Sequence, residues 1–226
     1  RPGDHLPCQP AGLAQRRQRV LVPARRQAAA GAGQRWAQAH PLGHLAEGRG
    51  PGAVGGDQYV LALGSYAPLL SRKIGFNLPI FPVKGYSVTL PVADPNDAPT
   101  IGGVHEEHLV AFSRLGDRLR LTATADFAGY DTEFEPANFA HMLRVARELF
   151  PKAAMYDRPD YWACLRPMTP DGPPIMGPSP LSNLWLNAGH GHMGWTMACG
   201  SSRLLVDQMM GRKPEIDPEP FLMSRY

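Results

Sequence analysis

The sequence predicts an α+β fold, and three observations carry that prediction. Strand-like alternation crowds the middle of the chain, helix-spaced apolar positions recur at intervals, and one short apolar run precedes both as a single buried strand. With 226 residues, 43% of them hydrophobic, the chain is long enough to bury a sizeable core.

Residues 1–56 add nothing to that pattern. They lack Lys, Phe, Ile, Tyr, Met, Ser, Thr and Asn, and are built largely from Ala, Gly, Arg, Gln, Pro and Leu. So few large side chains leave little apolar surface to offset the entropy of ordering. Eight arginines against Asp4 and Glu47 give this arm +6, so residues 57–226 carry −3 of the net +3. Two readings stay open: a disordered arginine-rich arm, or a frameshifted stretch of a GC-rich gene. A basic arm can serve nucleic acid or a membrane surface, but neither reading places function here, and no nucleic-acid partner is expected. Gly31-Ala32-Gly33 is no dinucleotide fingerprint, because no β-branched strand precedes it and position 36 is Trp36.

The texture changes at Asp57. Tyr59–Leu63 is a short apolar run closed by Gly64 and predicts a buried strand. Ser65 is placed to cap a short helix over 66–73. From Leu78 to Leu90, Tyr86, Val88 and Leu90 alternate with Ser87 and Thr89, which predicts a half-buried strand with its prolines at the start, where an edge tolerates them. Residues 109–114 and 118–125 alternate across Leu115-Gly116-Asp117 and predict a hairpin. Leu119, Leu121 and Ala123 then share one face, and Arg118, Arg120 and Thr122 the other. Between Pro136 and Pro151, the residues Phe139, Met142, Leu143, Ala146, Leu149 and Phe150 fall on one helical face. Residues 161–165 and 184–186 read as strands, and 196–210 as a helix closed by Gly211.

The three cysteines are scattered without C-x-x-C spacing, which argues against a disulfide framework and a thiolate metal site and suits a reducing compartment. No run of about 18 apolar residues is present. The densest feature is Asn187-Ala-Gly-His-Gly-His-Met-Gly-Trp-Thr-Met-Ala-Cys-Gly-Ser201, a strand running into a glycine-rich turn that opens a helix. Unpaired N–H groups and a partial positive charge at such a helix start can seat an anion or an electron-rich ring edge. A tight structural turn is the competing reading. His190 and His192 have no carboxylate or cysteine nearby to complete a metal set, so no metal is expected. In the second feature, Leu165-Arg-Pro-Met-Thr-Pro-Asp-Gly172, Arg166 ends an apolar strand. Its guanidinium can grip a substrate carboxylate in a fork, or form a structural ion pair with an acid such as Asp171.

Together these residues resemble the small subunit of the bacterial D-amino-acid dehydrogenases, in the glycine oxidase and D-amino-acid oxidase superfamily. The likeness rests on Trp162–Gly172 and Asn187–Ser201, with Tyr59–Tyr66 and Pro82–Ser87 in the same order, and covers about 57–226. It implies FAD on a Rossmann-like domain, covered by a substrate domain built on a mixed sheet. It also implies hydride transfer from the α-carbon of a D-amino acid to the flavin, the imino acid then hydrolysing to a 2-oxo acid and ammonia. Arg166 would hold the substrate carboxylate, and Tyr86 is a candidate pocket wall, although a lone aromatic on a strand is more often core. Gly64 would contact the cofactor. Gly189, His190, Gly191, His192, Met193, Gly194, Trp195 and Thr196 would lie against the flavin pyrimidine edge.

The same resemblance implies reoxidation by a quinone or another acceptor. It places the protein in the cytoplasm, with peripheral contact at the inner membrane. Domains follow as a remnant of the FAD-binding domain over 57–77, a substrate domain over 78–165, and a return to the FAD-binding domain over 166–226. Two departures stand out: His192-Met193 where the family has Thr-Leu or a similar pair, and Asp126 where it has Glu. The G-x-G-x-x-G strand–turn–helix and downstream acid expected to hold the ADP half lie outside this chain. On that ground the chain alone is expected to bind FAD weakly or not at all. A glycine- or sarcosine-type amine oxidase and a non-catalytic interaction protein on the same scaffold are the alternatives.

Overall fold

The computed structural model describes residues 56–226; the basic arm before Gly56, Cys8 included, lies outside the described residues. In chain order the elements are β1 (Tyr59–Leu61), α1 (Ala67–Lys73), β2 (Phe81–Pro91), β3 (Gly103–His105), β4 (Val110–Leu115), β5 (Arg118–Asp126), α2 (Ala140–Leu149), β6 (Asp160–Met168), β7 (Ile175–Pro178), β8 (Leu184–Ala188) and α3 (Gly194–Met209). Sheets plus helices make this an α+β fold. The chain divides into two units: the described residues up to Ile80 together with Pro167–Tyr226, and the continuous segment Phe81–Arg166.

The continuous unit is a sheet in the order β3-β4-β5-β2-β6. Antiparallel pairing sets Val88 opposite Leu121 and Leu90 opposite Leu119, so the alternation in both strands points one set of side chains to the same face. That face, with Tyr86 and Ala123, packs on Phe139, Met142, Val145 and Ala146 to form the core. The β4–β5 hairpin closes through Gly116, whose φ of 66° is the left-handed conformation its turn requires. A tight turn over Pro136–Phe139 leads into α2, held by a reciprocal capping box between Glu135 and Asn138.

Strand β2 departs from the half-buried edge strand that its alternation predicts. It lies between β5 and β6 and is buried from Pro82 through Val88. Its prolines are tolerated for a different reason: pairing with β5 begins only at Lys84, so Pro82 removes no bond from that ladder.

In the discontinuous unit, β1 pairs parallel to β8 and β7 pairs antiparallel to it, giving a three-stranded mixed sheet. Leu61, Ala67, Phe76, Leu78, Ile80, Ile175, Leu184, Leu186 and Ala188 form its core. Ser65 does not cap α1. It sits in a tight turn over Gly64–Tyr66, and the cap position is Tyr66, with no side-chain cap bond and Pro68 in the first turn. Helix α3 opens at Gly194, two residues ahead of its predicted start. It closes at Gly211 (φ 64°), with the Arg212 N–H on the Asp207 carbonyl at 2.8 Å.

Candidate functional site

Arg166 lies near the end of β6, the last residue of the continuous unit. Tyr161 and Ala163 pack on the core, so Trp162, Cys164 and Arg166 take the opposite face of the sheet. The Arg166 side chain is half-buried, and its Nη1 donates to the Thr124 carbonyl at 2.7 Å. Burial pushes its pKa down from the ordinary arginine value. Among the described residues of its unit, no carboxylate pairs with it. Asp171, the acid the sequence offers for a structural pair, is engaged by Arg225, with Nε on Oδ2 at 2.7 Å and Nη2 on Oδ1 at 3.2 Å. A half-buried guanidinium with one carbonyl contact and no counter-charge is costly to keep unless an anion completes it.

The backbone around Arg166 is unusual. Tyr86 pairs with Ala123 and Lys84 with Asp126, so Gly85 alone stands opposite Thr124 and Ala125: a β-bulge. Thr124 has φ 69°, a region β-branched residues rarely enter.

In the other unit, β8 delivers the chain into the glycine turn, and α3 opens from it. Gly189 takes φ 82° and Gly191 φ 57°. A Cβ on Gly189 would also come within 2.7 Å of Thr169 Cγ2, so both backbone and space exclude a side chain there. The Gly191 N–H donates to the Pro167 carbonyl at 2.9 Å and the Met193 N–H to the His190 carbonyl at 3.1 Å, which fixes the turn. Two buried polar atoms there have no hydrogen-bond partner: Asn187 Oδ1 and His190 Nε2. Burial lowers the His190 pKa and so favours its neutral ring. His192, Met193, Trp195 and Thr196 are exposed, and at 91% exposure the Trp195 ring contributes nothing to its own unit's core. Gly64, in the tight turn that follows β1, has φ 52°, and a Cβ there would meet only Pro167 Cγ, at 3.8 Å.

Glycines 189, 191 and 194 also have the spacing G-x-G-x-x-G between a strand and a helix. No free acid follows at the distance a ribose needs: Asp207 is tied to Arg203 at 2.9 Å and to Arg212 at 2.8 Å. The turn is therefore suited to an anion or ring edge rather than to a dinucleotide's ribose.

Tyr86 is core rather than pocket wall. It is 3% exposed, its ring meets Phe139 edge-on at 5.4 Å, and its hydroxyl donates to Asp126 Oδ2 at 2.6 Å. Burial and then Asp126 push its pKa up to about 12. Alternation shows that Tyr86 shares a face with Val88 and Leu90, but it does not say which face a missing partner covers. Gly85 lies inside the Pro82–Ser87 stretch and Thr124 in no motif, and only the register shift between β2 and β5 sets one opposite the other. Among the described residues, no three His, Cys, Asp or Glu gather as a metal set.

Solved structures of two oxidases share this fold. Iminodiacetate oxidase from Chelativorans sp. BNC1 superposes with a TM-score of 0.66 at 20% identity, over 75% of this chain and 47% of that one. Glycine oxidase from Geobacillus kaustophilus superposes with a TM-score of 0.67 at 24% identity, over 77% and 47%. The model of the DAO family, FAD dependent oxidoreductases, matches residues 13–208, and this chain belongs to that family. The match begins inside the arm, further forward than the resemblance from residue 57 implies. D-amino acid dehydrogenase 2 of Mesorhizobium japonicum is 51% identical over 168 residues, 74% of this chain and 40% of its own length. D-amino acid dehydrogenase of Rhodopseudomonas palustris is 48% identical over 170 residues, 75% and 40%. The chain thus spans about 40% of the length of these curated relatives.

FAD is the family's cofactor, and the glycine turn fits one edge of it. The turn offers unpartnered buried polar atoms, backbone that admits no side chain at Gly189, and the start of a 16-residue helix.

Proposed function

We propose that this chain supplies the carboxylate clamp and the flavin-facing turn of a longer enzyme. That enzyme deaminates D-amino acids oxidatively to 2-oxo acids and ammonia. The observation that carries the reading is Arg166, half-buried on the off-core face of its sheet and without a carboxylate partner in its unit. An amino-acid carboxylate is the counter-charge such a fork accepts. Gly64 and the turn from Gly189 to Thr196 would hold the flavin, and the α3 start would favour negative charge at the ring edge. When bound, FAD supplies the acceptor for hydride from the substrate α-carbon. The relatives' name, dehydrogenase rather than oxidase, supports an acceptor other than oxygen. We take it to be a quinone, reached by peripheral contact from the cytoplasmic side of the membrane.

The test is Arg166→Leu in the flavin-loaded full-length protein. KM for a D-amino acid should rise tenfold or more, since a charge-assisted pair contributes about 1.5–3 kcal/mol. Unchanged kinetics would reject the clamp. Residues 1–226 alone, purified and scanned in the visible region, should show no flavin band stoichiometric with protein; a stoichiometric band would overturn the need for further chain.

A further inference from the structure

We propose that Gly85 and the Thr124–Ala125 bulge form a built seat that positions Arg166 for its ligand, a role that rests on the carboxylate-clamp reading above. Gly85 is glycine for a reason unrelated to backbone conformation, because its φ lies outside the left-handed region. What it lacks is room. A Cβ at position 85 would lie 2.8 Å from Arg166 Nε and closer still to Cζ and Nη2. The guanidinium therefore rests directly on the β2 backbone, in the space a side chain would fill.

The bulge supplies the second half of the seat. One residue on β2 faces two on β5, which leaves Thr124 outside the regular pairing register. Its carbonyl receives Arg166 Nη1 at 2.7 Å. Backbone strain at a residue beside a ligand-binding group is expected where the surrounding structure enforces it. Here the enforcing contacts flank Gly85 on β2. The Tyr86 hydroxyl holds Asp126 at 2.6 Å, directly after the bulge. The buried Lys84 ammonium holds Asp131 at 3.2 Å and the Glu133 carbonyl. Both ties bind β2 to the chain just beyond the bulge, so the register cannot slip past Gly85 without breaking them.

With Nη1 occupied by a carbonyl, Nε and Nη2 have no protein acceptor among the described residues. Those two N–H groups are the parallel pair that a carboxylate takes bidentately. The seat spends one donor of the arginine to orient the remaining fork. Gly85 and Thr124 are positioning residues, acting through Arg166.

The experiment is a double-mutant cycle of Gly85→Ala with Arg166→Ala, read first by thermal unfolding of the full-length protein. Gly85→Ala should lower Tm in the native background and cost far less with Arg166→Ala, because the clashing group is gone. Equal losses in both backgrounds, including failure to fold in both, would overturn the seat. The second reading is kinetic, in the flavin-loaded enzyme, with a D-amino acid against its uncharged amide. Gly85→Ala should reduce the preference for the carboxylate by tenfold or more, mainly through KM; equal loss on both substrates would show a merely structural glycine. Arg166→Leu separates the two ideas. If it leaves the preference intact, the clamp itself is wrong, whereas loss with Arg166→Leu but not with Gly85→Ala removes only the seat.

Discussion

At Thr124 the backbone occupies φ 69°, and only Leu109 (φ 50°) shares a positive φ among the described non-glycine residues. Such a conformation costs of order 1–3 kcal/mol in a residue with a Cβ. Thr124→Gly should recover part of that strain while keeping the carbonyl that Arg166 uses. The expected outcome is a higher denaturation midpoint, and a lower midpoint would show that the threonine side chain contributes more than its strain removes. The strand that carries Arg166 was legible from the apolar run over 161–165, but L-R-P does not stop it, since β6 continues through Pro167 to Met168. The choice between clamp and structural ion pair was not legible, since sequence distance made Asp171 the natural partner. Only the fold shows that acid already occupied by Arg225. The Tyr86 pocket role failed for a related reason. A tyrosine on an alternating strand has one polar atom, and Asp126, forty residues away in sequence, satisfies it inside the core.

Among the elements, the long ones were readable, while of the short ones β1 and β8 were and β3 and β7 were not. The β4–β5 hairpin and α2 announce themselves by period and by turn chemistry. Strands β3 and β7 have three and four residues, and β7 contains Gly177 and ends in Pro178, so neither displays a period. The same unit holds an electrostatic tie that depends on pH. The tail's Arg225 forks onto Asp171 and also bonds the Pro173 carbonyl at 2.7 Å, while the Tyr226 hydroxyl donates to the same carboxylate. The Arg225 hydrogen bond holds Asp171 down to about 2, below its ordinary 3.8, against an opposing effect of burial. A depressed carboxylate stabilises the fold fully above its unfolded pKa and loses that contribution as pH falls through the folded one. The stability gap between the native chain and Asp171→Asn should therefore be constant above about pH 4. It should close between there and the folded-state value of about 2. The carboxylate is 41% exposed, so the gap should also shrink in high salt. Urea titrations across that range check it, and a gap that persists at the acid end would show the tail held by packing alone.

For the whole molecule, two separate cores follow from the two units. Phe139 is fully buried and meets Tyr86, Phe134 and Tyr161 within 5.4 Å between ring centroids. Phe139→Ala should destabilise the continuous unit by about 3–5 kcal/mol. Amide hydrogen exchange should speed up across β2, β5 and α2; protection retained there would mean that the ring is not the centre of that core. The α+β class and the strands β2, β4 and β5 were readable from period. The pairing of β1 with β8 was not, because local pattern carries no information about a partner on the far side of an inserted unit.

That pairing has a consequence for how the protein is made. Tyr59 finds its neighbour at Leu184, and its N–H bonds the Asn183 carbonyl at 2.8 Å. On the ribosome, synthesis at 5–20 residues per second leaves β1 waiting on the order of ten seconds for β8 to emerge. The intervening segment has all its strands in hand and can collapse first. During that interval the nascent β1 is an apolar strand without a mate, the stage at which a chaperone has the most to protect.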